Sequence, residues 1–275
     1  MRTNTSMSRY RHIALLLSAL GLAACGEKTI QQITAPVDGP LVKFFNFSVG
    51  APSVNFYSGT TKVTGVSGSA CAPPNDTTAT CRSTGTETTS GTAYTGAGNG
   101  GLYAQLTAGT ATLTGKIISA ASDNGTVIGT ASAPLAAGTF YSYYLSGIYN
   151  TTTKTTDAFI VTDAMPAADL NNAYVRFVNA ISNSSPMTLY AKLQSSGAET
   201  GVGTATQAYK DASSFVQLAP GVYDLNTRTA GSSTNVITRA AVSFVAGHVY
   251  TIAARGDMVS TVTANKPALD NTANR

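Results

Sequence analysis

Three blocks of this chain occur twice, in the same order and with similar spacing. Leu41-Val42-Lys43-Phe44-Phe45-Asn46 matches Tyr174-Val175-Arg176-Phe177-Val178-Asn179. Each is followed by a Ser, a Pro and then a Tyr eleven residues after the Asn, Tyr57 and Tyr190. Ala104 to Gly109 pairs with Val216 to Gly221, and Ala137 through Gly147 pairs with Ala246 through Gly256. An ordered repeat means two copies of one unit. Within each copy Val42 and Phe44, or Val175 and Phe177, alternate with Lys43 or Arg176, the period of a sheet with one wet face. Val222 to Arg228 and Val236 to Phe244 read as further strands, and Asp123-Asn124-Gly125 is a turn. No long stretch has helical spacing. Short strands punctuated by Gly turns predict an all-β chain with a β-sandwich in each copy.

The N-terminus precedes the first copy and follows other rules. Arg2, Arg9 and Arg11 flank an apolar run, Ile13 to Leu22, of about ten residues, half of what a membrane span needs. Leu22-Ala23-Ala24-Cys25 then places small residues before a Cys. This resembles the bacterial lipobox, which implies cleavage after residue 24 and a lipid on Cys25. Removing the signal leaves 14 basic residues against 13 acidic, from 17 and 13 in the whole chain. No Lys/Arg cluster remains to track a phosphate backbone, so nucleic acid is not an expected partner. Cys71 and Cys81 are left in an exported, oxidising setting, where a disulfide is the default and two free thiols the alternative. Closing their loop contributes about 2–3 kcal/mol on the chain-entropy model.

The expected organisation is a signal peptide over 1–24, a lipidated flexible tether over 25–40, a first sandwich over 41–163, a second over 173–263 and a polar tail over 264–275. The copies differ most at 65–101, an insert rich in Gly, Ser and Thr. It has few apolar groups with which to order itself, so a loop pinned by its disulfide is expected there.

The blocks RFVNA…SP…LY, LAPGVYDL and FVAGHVYTI resemble a bacterial envelope family catalogued as domain of unknown function 4397. The resemblance spans most of Leu41–Gly147 and Tyr174–Gly256 and is fuller in the second copy. Lys43, Phe47 and the insert depart from the pattern. The resemblance implies tandem immunoglobulin-like sandwiches on an exported protein. It brings no agreed catalytic residues.

Chemistry is sparse. The mature chain has one histidine, His248, and no G-x-S-x-G elbow, which leaves nucleophilic catalysis without its usual parts. No cluster of His, Cys and acids has the spacing of a metal site, and no cofactor is expected. Gly96-Ala97-Gly98-Asn99-Gly100-Gly101 fits G-x-G-x-x-G, but a strand-like LYAQL follows where a dinucleotide site needs a helix. Asp157, Asp163 and Asp169 surround the joint between copies and read as a solvated linker in preference to a glycosidase pair. Thirteen Tyr and no Trp leave Tyr141, Tyr143, Tyr144 and Tyr149 as candidate binding residues; the plainer alternative is that they line the core and the inter-copy face.

These features predict a non-enzymatic envelope lipoprotein, in the outer membrane, acting as a structural or binding module. The membrane, through the lipid, is its expected partner, with an envelope glycan or protein as a further one. The alternative is an adhesin using Tyr141–Tyr149 and the insert, and a glycan-active hydrolase is the weaker third.

Overall fold

The computed structural model describes residues 38–65, 87–118 and 121–275, within one compact unit, Val37–Arg275. Cys25, Cys71 and Cys81 lie outside the described residues, as do the signal and nearly all of the tether. Among the described residues the chain is all-β.

The first half contains β1 (Leu41–Asn46), β2 (Val54–Ser58), β3 (Thr61–Lys62), β4 (Gly96–Ala97), β5 (Ala104–Gln105), β6 (Gly109–Ile117), β7 (Val127–Leu135), β8 (Phe140–Asn150) and β9 (Thr155–Asp163). One sheet has β1 at its centre, with β4 and β5 on one side and β8 then β9 on the other; the facing sheet runs β3-β2-β6-β7. The second half contains β10 (Ala173–Asn179), β11 (Met187–Leu193), β12 (Glu199–Gln207), β13 (Val216–Leu218), β14 (Gly221–Thr229), β15 (Ile237–Phe244), β16 (Val249–Arg255) and β17 (Ala268–Ala273). Its sheets run β13-β10-β16-β17 and β12-β11-β14-β15. The two orders are the same order. In both, the first strand pairs in parallel with the penultimate one, Phe44 opposite Tyr143 and Phe177 opposite Ile252.

Strand alternation selects the core of each sandwich. Val42, Phe44, Phe56, Leu113, Tyr143 and Leu145 fill the first, and Val175, Phe177, Leu189, Leu225, Phe244 and Ile252 the second. Phe44, Phe56 and Tyr143 form a mutual aromatic contact at centroid separations of 5.2–5.7 Å. A third apolar cluster belongs to neither: Phe45, Phe47, Tyr144 and Phe159 meet Val178, Ala180 and Ala253.

Three expectations change. The polar tail is not a tail: Ala268–Ala273 forms β17, antiparallel to β16, and Leu269 is buried. Backbone pairing with β16 from Tyr250 to Arg255 forms the strand, and Leu269 alone is buried in it. The insert is not a loop throughout. Residues 87–101 form a helical turn (Glu87–Ser90), a bridge from Thr92 to Val54, strand β4 and a 3-10 turn (Gly98–Gly101). Backbone hydrogen bonds to β1 and Val54 order it, a means that the composition argument did not count. Lastly, the wet face of β1 and β10 is dry: Lys43 is 3 % exposed and Arg176 is 1 % exposed.

Candidate functional site

The reason for that dryness is that the outer face of the β1-β8-β9 sheet packs against the outer face of the β10-β16-β17 sheet. The side chains that alternation sends away from each sandwich core meet one another.

At one level lies a buried ionic cluster. Arg176 pairs with Asp163, donates Nε–H to Thr251 Oγ1 at 2.9 Å and Nη1–H to the Thr162 carbonyl at 3.0 Å, and lies 4.9 Å from the Phe215 ring centre. Lys43 donates to the Ala273 carbonyl and sits 4.6 Å over the Tyr103 ring. Asp163 also accepts from Ser142 Oγ at 2.8 Å and from the Tyr103 hydroxyl at 2.7 Å. Asn274 closes the network, donating to Tyr103 Oη at 2.8 Å and accepting from Thr251 Oγ1 at 2.7 Å. Both aromatic contacts supply the cation–π attraction that partly replaces lost hydration. Two cations face one carboxylate here, and burial is the larger force on Lys43. It lowers the ammonium pKa to about 8; Asp163 pulls it up and Arg176 pushes it further down. Burial raises the Tyr103 hydroxyl far above the usual tyrosine range, and Asp163 adds to the effect.

The apolar level comes next. Tyr144 is stacked between Phe45 and Phe159 at 4.8 and 5.0 Å, and the small side chains of Val178, Ala180 and Ala253 cover the stack. Beyond it two tyrosines cross from one half to the other. The Tyr94 hydroxyl lies 3.4 Å from Arg255 Nη1, and Arg255 itself is paired with Asp270. The Tyr209 hydroxyl lies 2.7 Å from Ser146 Oγ and donates to Asp157 at 3.0 Å.

Several predicted site residues move under this geometry. Tyr141, Tyr143 and Tyr144 are buried, which corrects their candidate role as binding residues and agrees with the plainer reading, core and inter-copy face. The strand from Phe140 to Asn150 has a sandwich core on one face and the other half of the molecule on the other. The Tyr141 hydroxyl accepts from Ala136 N–H at 2.9 Å, and Tyr143 donates to the Gly129 carbonyl at 3.1 Å. Tyr149 is partly buried against the first core. Asp163 is no linker acid: it ends β9 and its carboxylate is enclosed. Asp157 is exposed beside Lys210, and Asp169 accepts from Asn171 N–H and the Asn172 amide, so the three acids do not converge. His248 is exposed, its Nδ1 3.0 Å from the Ala246 carbonyl. Gly96 to Gly101 forms β4 and its turn, and β5 follows. Asn99 is buried there and donates to the Val63 carbonyl at 3.0 Å. Among the described residues no three His, Cys, Asp or Glu side chains group as a metal site, and no helix is long and apolar enough to cross a membrane.

Tyr94 and Tyr209 escaped sequence reasoning, although a signal was present. Ala93-Tyr94-Thr95-Gly96-Ala97 and Ala208-Tyr209-Lys210-Asp211-Ala212 share A-Y-x-x-A. The structure confirms the match: Ala97 pairs with Phe45 and Ala212 with Val178. Thr95 and Lys210, each following its tyrosine, have φ of 72° and 75°, an uncommon left-handed conformation for such residues.

Among known proteins, no curated sequence matches the chain. A structure from Bacteroides ovatus ATCC 8483, described as a "putative cell adhesion protein", aligns over 88 % of this chain and 97 % of its own, with 12 % identity and a TM-score of 0.24. Residues 173–274 match the family model described as "Domain of unknown function (DUF4397)", a span that takes in β17 and the interface residue Asn274.

Proposed function

We propose that the protein is a non-enzymatic envelope lipoprotein, held by a lipid on Cys25 at the outer membrane, whose two sandwich modules serve as a structural or binding unit. The observation that supports it most is where the chain uses its polar chemistry. Lys43, Asp163, Arg176, Tyr103 and Asn274 converge as a catalytic group would, yet all but the partly exposed Tyr103 are buried between the opposing sheets. A site for chemistry needs solute access, and burial of Lys43, Asp163 and Arg176 supports a structural role for the cluster. Gly26 follows the cysteine where, by resemblance to lipoproteins of two-membrane bacteria, an Asp would hold the protein at the inner membrane. Acyl chains contribute ~0.8 kcal/mol per buried CH₂, so a triacylated N-terminus is an effectively permanent anchor.

The test is the intact mass of the mature protein and its fractionation from a two-membrane host. A lipid-modified N-terminal Cys25 in the outer-membrane fraction is the expected result, with Cys25→Ser losing that attachment. An unmodified cysteine or cleavage elsewhere overturns the anchored reading. Crosslinking in the native envelope, followed by partner identification, tests the binding role.

A further inference from the structure

The contacts between the two halves come in equivalent pairs. Strand register makes Thr162, opposite Tyr141, the counterpart of Ala273, opposite Tyr250. Lys43 donates to the carbonyl of Ala273, and Arg176 donates to that of Thr162. Each cation lies over an aromatic ring from its own half, Tyr103 or Phe215, at the same repeat position. Tyr94 reaches Arg255, and Tyr209 reaches Ser146, the counterpart of Arg255. Position i of one half thus meets position j of the other, and j meets i. That is the pattern of an isologous two-fold interface, here formed inside one chain.

From this we infer that the halves are a self-recognising pair, each the specific partner of the other, and that the joint at 164–172 is not what holds them together. Specificity comes from unequal residues at equal positions. A pair of second halves would bury two copies of Arg176 with Asn274 where Asp163 now stands, leaving both guanidinium groups without a carboxylate. It would also set Val178, Ala180 and Ala253 against themselves, leaving a void. A pair of first halves would drive Phe45, Phe47 and Tyr144 into their own copies. Only the mixed pair joins large to small and supplies an acid to Arg176. The single acid lies close to the two-fold: Asn274 Nδ2 and Asp163 Oδ2 are 3.4 Å apart. Consequently the surfaces left for any ligand are the two outward sheets and the strand ends. This inference does not depend on the lipid anchor.

The test uses the whole folded mature chain, with a protease site inserted between Ala167 and Ala168 and cut after folding. Size-exclusion chromatography with light scattering is expected to show one 1:1 species, with unchanged circular dichroism. A cut sample that separates, unfolds or sorts into like pairs overturns the proposal. In the uncut chain, Asp163→Asn is expected to lower Tm by about 10 °C, since it leaves a buried cation unpaired. Adding Asn274→Asp returns the carboxylate to the same place from the other half and is expected to recover at least half of that loss. A double variant no better than Asp163→Asn alone overturns the equivalence of the two positions.

Discussion

At matching interface positions the first half carries Phe45, Phe47 and Tyr144, where the second carries Val178, Ala180 and Ala253. Within the sandwich cores the contrast is weaker: Val42 and Phe44 answer Val175 and Phe177, and Tyr141 answers Tyr250, although Tyr143 answers Ile252 and Leu145 answers Ala254. Residues on the first strand that face a half's own core satisfy the same geometric demand twice and stay alike. Residues facing the other half need only complement it, so bulk on one side permits smallness on the other. Large-for-small exchange at three neighbouring positions marks the apolar part of the interface, while Val42, Phe44, Val175 and Phe177 mark the shared fold.

The largest test of that contrast is its removal. Tyr144→Ala takes a fully buried ring out of a stack and should destabilise by about 3–5 kcal/mol in chemical denaturation. The reciprocal change, Ala253→Leu, adds volume where the first half already fills the space, and should cost about 1–3 kcal/mol. A small effect of both would mean that the third cluster is loosely packed and the halves are coupled through their polar contacts alone.

Of the two buried cations, Lys43 can lose its proton in an accessible range, which gives a second test. Below about pH 8 Lys43 is charged in folded and unfolded chains alike, and the folded state bears the full cost of its burial. Above that, the folded protein releases the proton while the unfolded chain keeps it to ~10.4, so the unfolded state binds more protons and stability rises with pH. Beyond ~10 the sign reverses. The buried hydroxyls of Tyr103 and Tyr144 have raised pKa values, so unfolded tyrosines ionise first and stability falls. A maximum between about pH 9 and 10 is expected from denaturant titrations, with a rise of about 2–3 kcal/mol from pH 7 as an upper bound. Lys43→Met should stabilise the protein at pH 7 and remove the rise. If the slope persists in that variant, another group carries it.

The sequence exposed the sandwiches through alternation, which reports on local backbone period and on the side chains nearest in sequence. It exposed the repeat because equal folds reuse equal apolar positions. The interface stayed hidden for a physical reason. Lys43 and Arg176 are residues that water normally solvates, and no local period says that strands of the other half, at Ala273 for Lys43 and Asp163 for Arg176, replace that water. Asp163 read as a linker acid for the same reason. The tyrosines of β8 were too many for one core, and that surplus was the visible trace of the buried face. β17 was lost because Asp270, Asn271 and Thr272 are consecutive and break any period of two, although the backbone pairing that forms the strand does not depend on side-chain polarity.

The finest comparison is between the two crossing tyrosines. They share the A-Y-x-x-A motif and the left-handed residue that follows, so backbone geometry presents both hydroxyls alike. Their acceptors and donors differ. Tyr209 meets Ser146, a buried hydroxyl whose other packing leaves it little access to water, together with Asp157. Tyr94 meets Arg255 Nη1 at 3.4 Å, a long contact, while Asp270 takes Nε and Nη2. Removing the first hydroxyl strands a buried polar group, whereas removing the second gives up a long contact to a partly exposed guanidinium, and that asymmetry governs hydrogen-bond energetics more than bond number does. Tyr209→Phe should therefore cost about 1–2 kcal/mol, and Tyr94→Phe only a few tenths, by thermal denaturation of otherwise identical proteins. Ser146→Ala in the Tyr209→Phe background should then restore part of the loss, because it removes the stranded group. Equal losses for the two tyrosines would show that ring packing, and not the hydroxyl network, is what both copies of the motif supply.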